Sequence, residues 1–175
     1  TITRAGYSGM QRYACVWTGD NVATWEHLKL GNIQCQRMSI SGVPFCGTDI
    51  GGFSGEPDGE LFTRWIQLGT FSPFMRAHSA GDTAEREPWS FGEPFTAINR
   101  KFIELRYRLM PYIYSVFWEH YKRQRAVIQM SDTTYKTLLQ SIRNYKGLSI
   151  LGSDEIDQLC SEIRDLIIKV TLKNG

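Results

Sequence analysis

Two carboxylates stand among aromatic and basic side chains in the first half of this 175-residue chain. Asp20 follows Trp17 and Gly19 and closes a stretch opened by Arg4. Asp49 leads into Ile50, Gly51, Gly52 and Phe53, and Arg76-Ala77-His78 comes next. A carboxylic acid kept protonated by partial burial against apolar and aromatic walls can deliver a proton to a poor leaving oxygen. An aromatic face can stack on the apolar face of a sugar ring, and a positioned general acid contributes about 10²–10⁴-fold in rate. Each piece also has a plainer reading. Thr18-Gly19-Asp20-Asn21 is an ordinary turn or helix-cap sequence, and Asp49-Ile50-Gly51-Gly52-Phe53 reads as a strand end followed by a glycine turn. A lone histidine such as His78 is more often a hydrogen-bonded structural residue than a catalyst.

Taken in order, the motifs are more specific than any of them alone. The string Arg4-Ala-Gly-Tyr-Ser-Gly-Met-Gln-Arg-Tyr-Ala-Cys-Val-Trp17-Thr-Gly-Asp20 resembles the acid/base segment of glycoside hydrolase family 31, the retaining α-glucosidases and their relatives. The resemblance implies that Asp20 is the acid/base and that Arg4 and Trp17 contact the substrate. It implies that the Asp49 carboxylate hydrogen-bonds in the sugar subsite, that Phe53 is a wall of the same pocket, that Arg76 frames it with an ion pair, and that His78 binds hydroxyls beside the scissile bond. A retaining glycosidase needs two carboxyl groups about 5–5.5 Å apart, one of which forms the covalent glycosyl intermediate. The family takes that nucleophile from an earlier strand, in a Trp-x-Asp-Met-Asn-Glu motif that does not occur in this sequence, and Asp49 cannot be promoted to the role.

The function this implies is hydrolysis of terminal α-glucosidic bonds with retention, on an α-glucoside oligosaccharide. The chain would supply the acid/base and the sugar subsite, and by itself it is expected to be inactive. No cofactor is implied. The alternative, of a different class, is a catalytically inactive fragment acting as a carbohydrate-binding or protein-interaction module.

Positioning these groups is the work of the elements around them. The resemblance implies a (β/α)8 barrel, an α/β fold of about 250 residues in its usual form, so this chain is expected to be a partial barrel, its later strands and helices. The sequence itself predicts a helix from Trp25, capped by Asn21 or Thr24, with Trp25, Leu28 and Leu30 as its apolar positions. Its continuation, 32–42, is unusually polar for a barrel helix and is similar to the form in Bacteroidetes-type bacteria. Val43–Thr48 reads as a buried strand that brings Asp49 to its C-terminal end, where parallel strands carry functional side chains. Leu61, Trp65, Ile66 and Leu68 form one face of a second helix. The charged loop 81–89, with Asp82, Glu85 and Glu87, reads as solvated and is assigned no chemistry. A third helix spans roughly Ala97 to His120, kinked at Pro111, with Arg100, Lys101, Glu104, Arg106 and Arg108 on a solvated face.

The resemblance stops near Tyr121. Where family members continue with a glycine turn and a proline-initiated strand, Lys122–Met130 carries neither signal, although 126–130 would still fit a short strand. The expected division is therefore a barrel portion, 1–125, and a helical tail, 126–175. Tyr135, Leu138, Leu139, Ile142 and Tyr145 make one apolar stripe, and Ile156, Leu159, Cys160, Ile163, Leu166, Ile167 and Val170 make another. A hairpin packed on the body accounts for them, with helix-mediated self-association through 131–172 as the alternative.

Composition bounds these readings. At 42% hydrophobic residues and a formal charge of +2, the chain can bury a core and gives no electrostatic case for nucleic acid or a membrane surface. Cys15, Cys35, Cys46 and Cys160 lack paired metal-ligand spacing and read as free thiols, with no metal expected. No signal peptide or membrane span is visible. The chain reads as soluble, its compartment open, with the periplasm or the cell exterior expected for a bacterial source.

Overall fold

The computed structural model describes residues 1–123. The expected strand at 126–130, both tail helices, Cys160 and the boundary at 125/126 lie outside the described residues. Within them run five short strands: β1 (Ile2–Thr3), β2 (Cys15–Trp17), β3 (Cys46–Gly47), β4 (Asp49–Ile50) and β5 (Arg76–Ala77). Three helices are interleaved, α1 (Trp25–Ile40), α2 (Gly59–Gly69) and α3 (Phe95–Arg123). All pairings are parallel: β1 with β2 (Thr3 opposite Val16), β2 with β3 (Trp17 opposite Gly47), and β4 with β5 (Asp49 opposite Arg76). Only Thr48 separates β3 from β4, and the Phe74 amide donates to the Cys46 carbonyl at 3.2 Å. The extended segment 46–50 thus has β2 on one side and the β5 segment on the other. Strand, helix, strand, helix, strand in parallel order is the repeating unit of an α/β barrel.

Helix α1 starts where its cap allows. Of the two candidates Thr24 is the N-cap, its hydroxyl accepting from the His27 amide at 3.2 Å. The buried side of α1 is Leu28, Gly31, Cys35 and Ser39, whereas Trp25 and Leu30, expected on the apolar face, are exposed. The reason is close packing. A Cβ at Gly31 would sit 2.3 Å from Thr48 Cγ2, so the helix lies against the strand through small residues, and a polar-looking sequence serves that purpose. Beneath it Val16, Cys35 and Cys46 form a small cluster with Met10, Met38 and Val43. Cys15, Cys35 and Cys46 are free thiols, and Cys46 Sγ donates to the Cys35 carbonyl at 3.3 Å.

Helix α2 is capped by Asp58, which accepts from the Leu61 amide at 2.7 Å. It is buried nearly all round, through Leu61, Phe62, Thr63, Trp65, Ile66, Gln67 and Gly69, between β4 and α3. Leu68, expected on its buried face, is only partly covered. Each of its fully buried large side chains stabilises by about 1.5–3 kcal/mol, and Trp65 also donates its indole N–H to Thr48 Oγ1 at 2.6 Å.

Helix α3 runs through Pro111. Its buried side is Phe102, Leu105 and Leu109, and Arg106 departs from the solvated face expected of it. Its guanidinium donates to the carbonyls of Thr70 (3.0 Å), Ser72 and Pro73 (2.9 Å), closing the turn between α2 and β5. Orphan carbonyls at a helix C-terminus need donors, and a charge-pattern reading has no view of them.

Candidate active site

The residues singled out from the sequence lie at or close to the C-terminal ends of successive extended segments, β3 and β4 counting as the one segment 46–50. Arg4 follows β1, Trp17 ends β2 with Asp20 just beyond, Asp49 opens β4 with Phe53 after it, and Arg76 lies in β5 with His78 next. In a parallel α/β sheet that is the edge where ligands bind.

Two ion pairs organise them. Arg76 Nη2 donates to Asp49 Oδ1 at 2.5 Å; the Asp49 side chain is 0% exposed and that of Arg76 28%. The guanidinium also lies over the Trp17 ring at 5.3 Å and the Phe74 ring at 5.5 Å, so one cation links β2, β4 and β5. Burial pushes the Asp49 carboxyl above the ordinary aspartate range. The hydrogen bond and charge of Arg76 and the charge of His78 pull it back, and Asp20 adds to the rise. The second pair is Arg4 Nη1 with Asp20 Oδ2 at 2.9 Å, about half-exposed on both sides. The apolar enclosure expected around Asp20 is not supplied by the described residues, and the space over Gly19 is taken by the Arg4 stem, whose Cδ lies 3.3 Å from where a Cβ would stand.

Phe53 and His78 face each other, ring centroids 5.5 Å apart, with His78 exposed and Phe53 half-buried. The turn bearing Phe53 is bonded to the segment bearing Asp20. Phe53 and Ser54 amides donate to the Asn21 carbonyl at 2.6 and 3.2 Å, and the Ala23 amide donates to the Ser54 carbonyl at 2.8 Å. Gly52 makes this approach feasible, at φ 82° and with the Ala23 nitrogen 2.6 Å from where a Cβ would be. Three buried polar atoms, Trp17 Nε1, Asp49 Oδ2 and Arg76 Nε, have no hydrogen-bond partner among the described residues. Buried polar groups are normally satisfied, so these three atoms mark a hydrogen-bond network that the described residues leave incomplete beside the aromatic wall. Among the described residues no group of three or more His, Cys, Asp or Glu is arranged to hold a metal ion.

Two participants escaped the sequence reading. Asn21, considered only as a cap, is buried; its side-chain carbonyl accepts from the Thr18 hydroxyl and its backbone carbonyl joins the two turns. Arg86, in the loop assigned no chemistry, is a buried cation whose guanidinium donates to the carbonyls of Gly51 (3.3 Å), Gly52 and Gly55. The signal was present as a run of glycines, whose turn carbonyls need donors, and a single Arg between Glu85 and Glu87.

The glycosyl hydrolases family 31 TIM-barrel domain matches residues 1–116. Alpha-glucosidase 2 of Bacillus thermoamyloliquefaciens is 48% identical over 128 residues, covering 73% of this chain and 16% of that protein. Neutral alpha-glucosidase C of Mus musculus is 44% identical over 128 residues, 73% of this chain and 14% of that protein. Among solved structures, the glucosidase II alpha subunit in a Tris-bound form is 46% identical with a TM-score of 0.66, over 67% of this chain and 13% of that one. The family 31 alpha-glucosidase of Bacteroides thetaiotaomicron is 44% identical with a TM-score of 0.63, over 66% of this chain and 20% of that one. Identities this close across bacterial and mammalian proteins do not single out a Bacteroidetes form. The chain spans about one-seventh of the length of the first two relatives.

Proposed function

Because the chain belongs to glycosyl hydrolases family 31, we propose that it is the acid/base-bearing portion of a retaining α-glucosidase barrel acting on α-glucoside oligosaccharides. The observation that carries this reading is the linked set at one edge of the parallel strands. Arg4 pairs with Asp20, and Asp49 pairs with Arg76, which lies over Trp17. Phe53 lies against His78.

In this reading Asp20 protonates the glycosidic oxygen as the bond to the anomeric carbon breaks, and then takes a proton from the water that hydrolyses the glycosyl intermediate. Trp17 and Phe53 offer apolar faces to the ring. Arg76, 28% exposed, and the exposed His78 are the polar groups within reach of its hydroxyls, and Asp49 serves the subsite by holding Arg76 from beneath. Asp49 is enclosed and tied to Arg76, which suits binding and disqualifies it as the attacking group. The attacking carboxylate therefore comes from a strand outside this sequence, and the chain assayed by itself is inactive.

The test is Asp20→Asn in the enzyme that unites this segment with its nucleophile strand. The kcat/KM for maltose should fall by about 10²–10⁴-fold, and the kcat/KM for p-nitrophenyl α-glucoside, whose leaving group needs little protonation, by far less. Equal activity of wild type and variant on maltose would overturn the assignment. Release of p-nitrophenol by residues 1–175 alone would show that a nucleophile had been overlooked. Sugar binding without turnover in the completed enzyme would instead favour the carbohydrate-binding reading.

A further inference from the structure

Arg86 stands outside the set that faces the sugar, yet it is among the most enclosed charges among the described residues, with a side chain 4% exposed. Its two terminal nitrogens reach three carbonyls of one turn, those of Gly51, Gly52 and Gly55. Glu56, at the end of the turn, lies 3.8 Å from Nη2 and accepts from the Ala84 amide at 3.0 Å, so the loop supplying Arg86 is fastened to the turn it holds. These three glycines have positive φ, and their carbonyls are the ones the guanidinium takes, while those of Phe53 and Ser54 accept from the Ala80 and Ala23 amides.

The far side of this turn is bonded to three segments of the site. Gly52 N donates to the Asp49 carbonyl at 3.0 Å. Phe53 and Ser54 amides reach Asn21, the residue after Asp20, and the Phe53 carbonyl accepts from Ala80 at 2.9 Å, two residues beyond His78. A shift of the turn would move Phe53, the Asp20 loop and the His78 segment together. Tolerance there is small, because an ångström of misplacement can cost on the order of 10²-fold in rate.

We propose that Arg86 is a positioning residue for glycosidic-bond cleavage, its guanidinium fork setting the Gly51–Gly55 turn and, through Asn21, the placement of Asp20 against the leaving oxygen. The role requires a fork. Lysine offers a point charge on a flexible stem and cannot hold three carbonyls in a fixed plane. The inference rests on Asp20 being the proton donor.

The experiment compares Arg86→Lys and Arg86→Ala with Asp20→Asn in the enzyme completed by its nucleophile strand, rates being normalised to folded protein by active-site titration. On maltose, kcat/KM should fall roughly 10–100-fold in both Arg86 variants. On p-nitrophenyl α-glucoside kcat/KM, which reports only the steps up to departure of the leaving group, should fall less than about threefold, since a misplaced acid matters little for a good leaving group. Amide hydrogen exchange at Phe53, Ser54 and Ala23 should accelerate while α2 amides stay protected. Should Arg86→Ala not fold, Arg86→Lys carries both measurements.

Equal losses on the two substrates, or unchanged exchange at those amides, would overturn the positioning role and leave a structural one. If Asp20→Asn itself showed no leaving-group asymmetry, the assignment of the acid would fail first, whatever the Arg86 variants did.

Discussion

The Asp49–Arg76 pair gives the sharpest prediction, because its two members differ so much in exposure. Arg76→Met keeps most of the stem and removes the guanidinium, leaving a carboxylate with 0% exposure and without its ion-pair partner. Removing one partner of a buried pair costs about 3–5 kcal/mol. The upper limit is set by escape through protonation: starting from an unfolded-state pKa of about 3.9, taking up a proton costs roughly 4 kcal/mol at pH 7 and about 1.5 kcal/mol at pH 5. Loss of the contacts to the Trp17 and Phe74 faces adds a pH-independent part of roughly 0.5–1 kcal/mol each. Urea unfolding of the 175-residue chain, wild type against Arg76→Met, should therefore show a large destabilisation at pH 7 that shrinks by about 2 kcal/mol or more at pH 5. Adding Asp49→Asn to Arg76→Met should recover much of the loss at pH 7. A destabilisation below about 1 kcal/mol, or one equal at the two pH values, would refute the claim that this pair is a buried charge pair on which the site is built.

Two further outcomes follow from the same geometry. Since burial raises the Asp49 carboxyl above its ordinary value of 3.8, the folded chain binds that proton more tightly than the unfolded one. This contribution therefore favours the fold at low pH and is lost as pH rises from the ordinary value through the raised one; Asp49→Asn should flatten that part of the wild-type stability-versus-pH curve, and superimposable curves would contradict it. Gly52→Ala puts a side chain at φ 82° and 2.6 Å from the Ala23 nitrogen. It should cost about 1–3 kcal/mol and speed hydrogen exchange at Ala23 and Ser54 before any change in α2, an effect that a uniform loss of protection would exclude.

How much of this was legible in the sequence depended on what kind of signal each element carries. Helix α2 was visible because Leu61, Trp65 and Ile66 repeat at helical spacing after a loop rich in Gly, Pro and Asp. Helix α1 was visible by its start but not by its buried face, because Gly31, Cys35 and Ser39 are selected for small size and hydrophobic periodicity does not register size. The strands are two or three residues long, so alternation had nothing to work on, and only the glycine and aspartate punctuation after Thr48 marked where one ended. Arg86 and Arg106 were read as surface charge since nothing in a charge pattern records which turn carbonyls lack donors. The site residues were identified through their resemblance to a family. Residue chemistry alone had left Asp20 a turn residue and His78 a structural one, and no spacing rule would have joined Asp49 to Arg76 across 27 positions.

The completed chemistry and the completed fold are the same requirement. Among the described residues β1 has β2 as its one strand neighbour and β5 has β4, so a backbone edge is open on each side, and open edges invite pairing with another strand. A (β/α)8 barrel closes those edges with its remaining strands. In the proposed reading, one of those strands carries the attacking carboxylate, placed roughly 5–5.5 Å from Asp20. The Asp20 carboxylate is half-exposed here and, among the described residues, is paired with Arg4, whereas Asp49, Arg76 and Trp17 are already fixed by contacts within the chain. The sugar-binding half of the site is thus built by local packing and should persist in the isolated segment, while the half that makes and breaks bonds depends on closure. It follows that a co-expressed upstream barrel segment should raise stability and create activity together, and that a segment restoring one without the other would separate what barrel geometry holds to be inseparable.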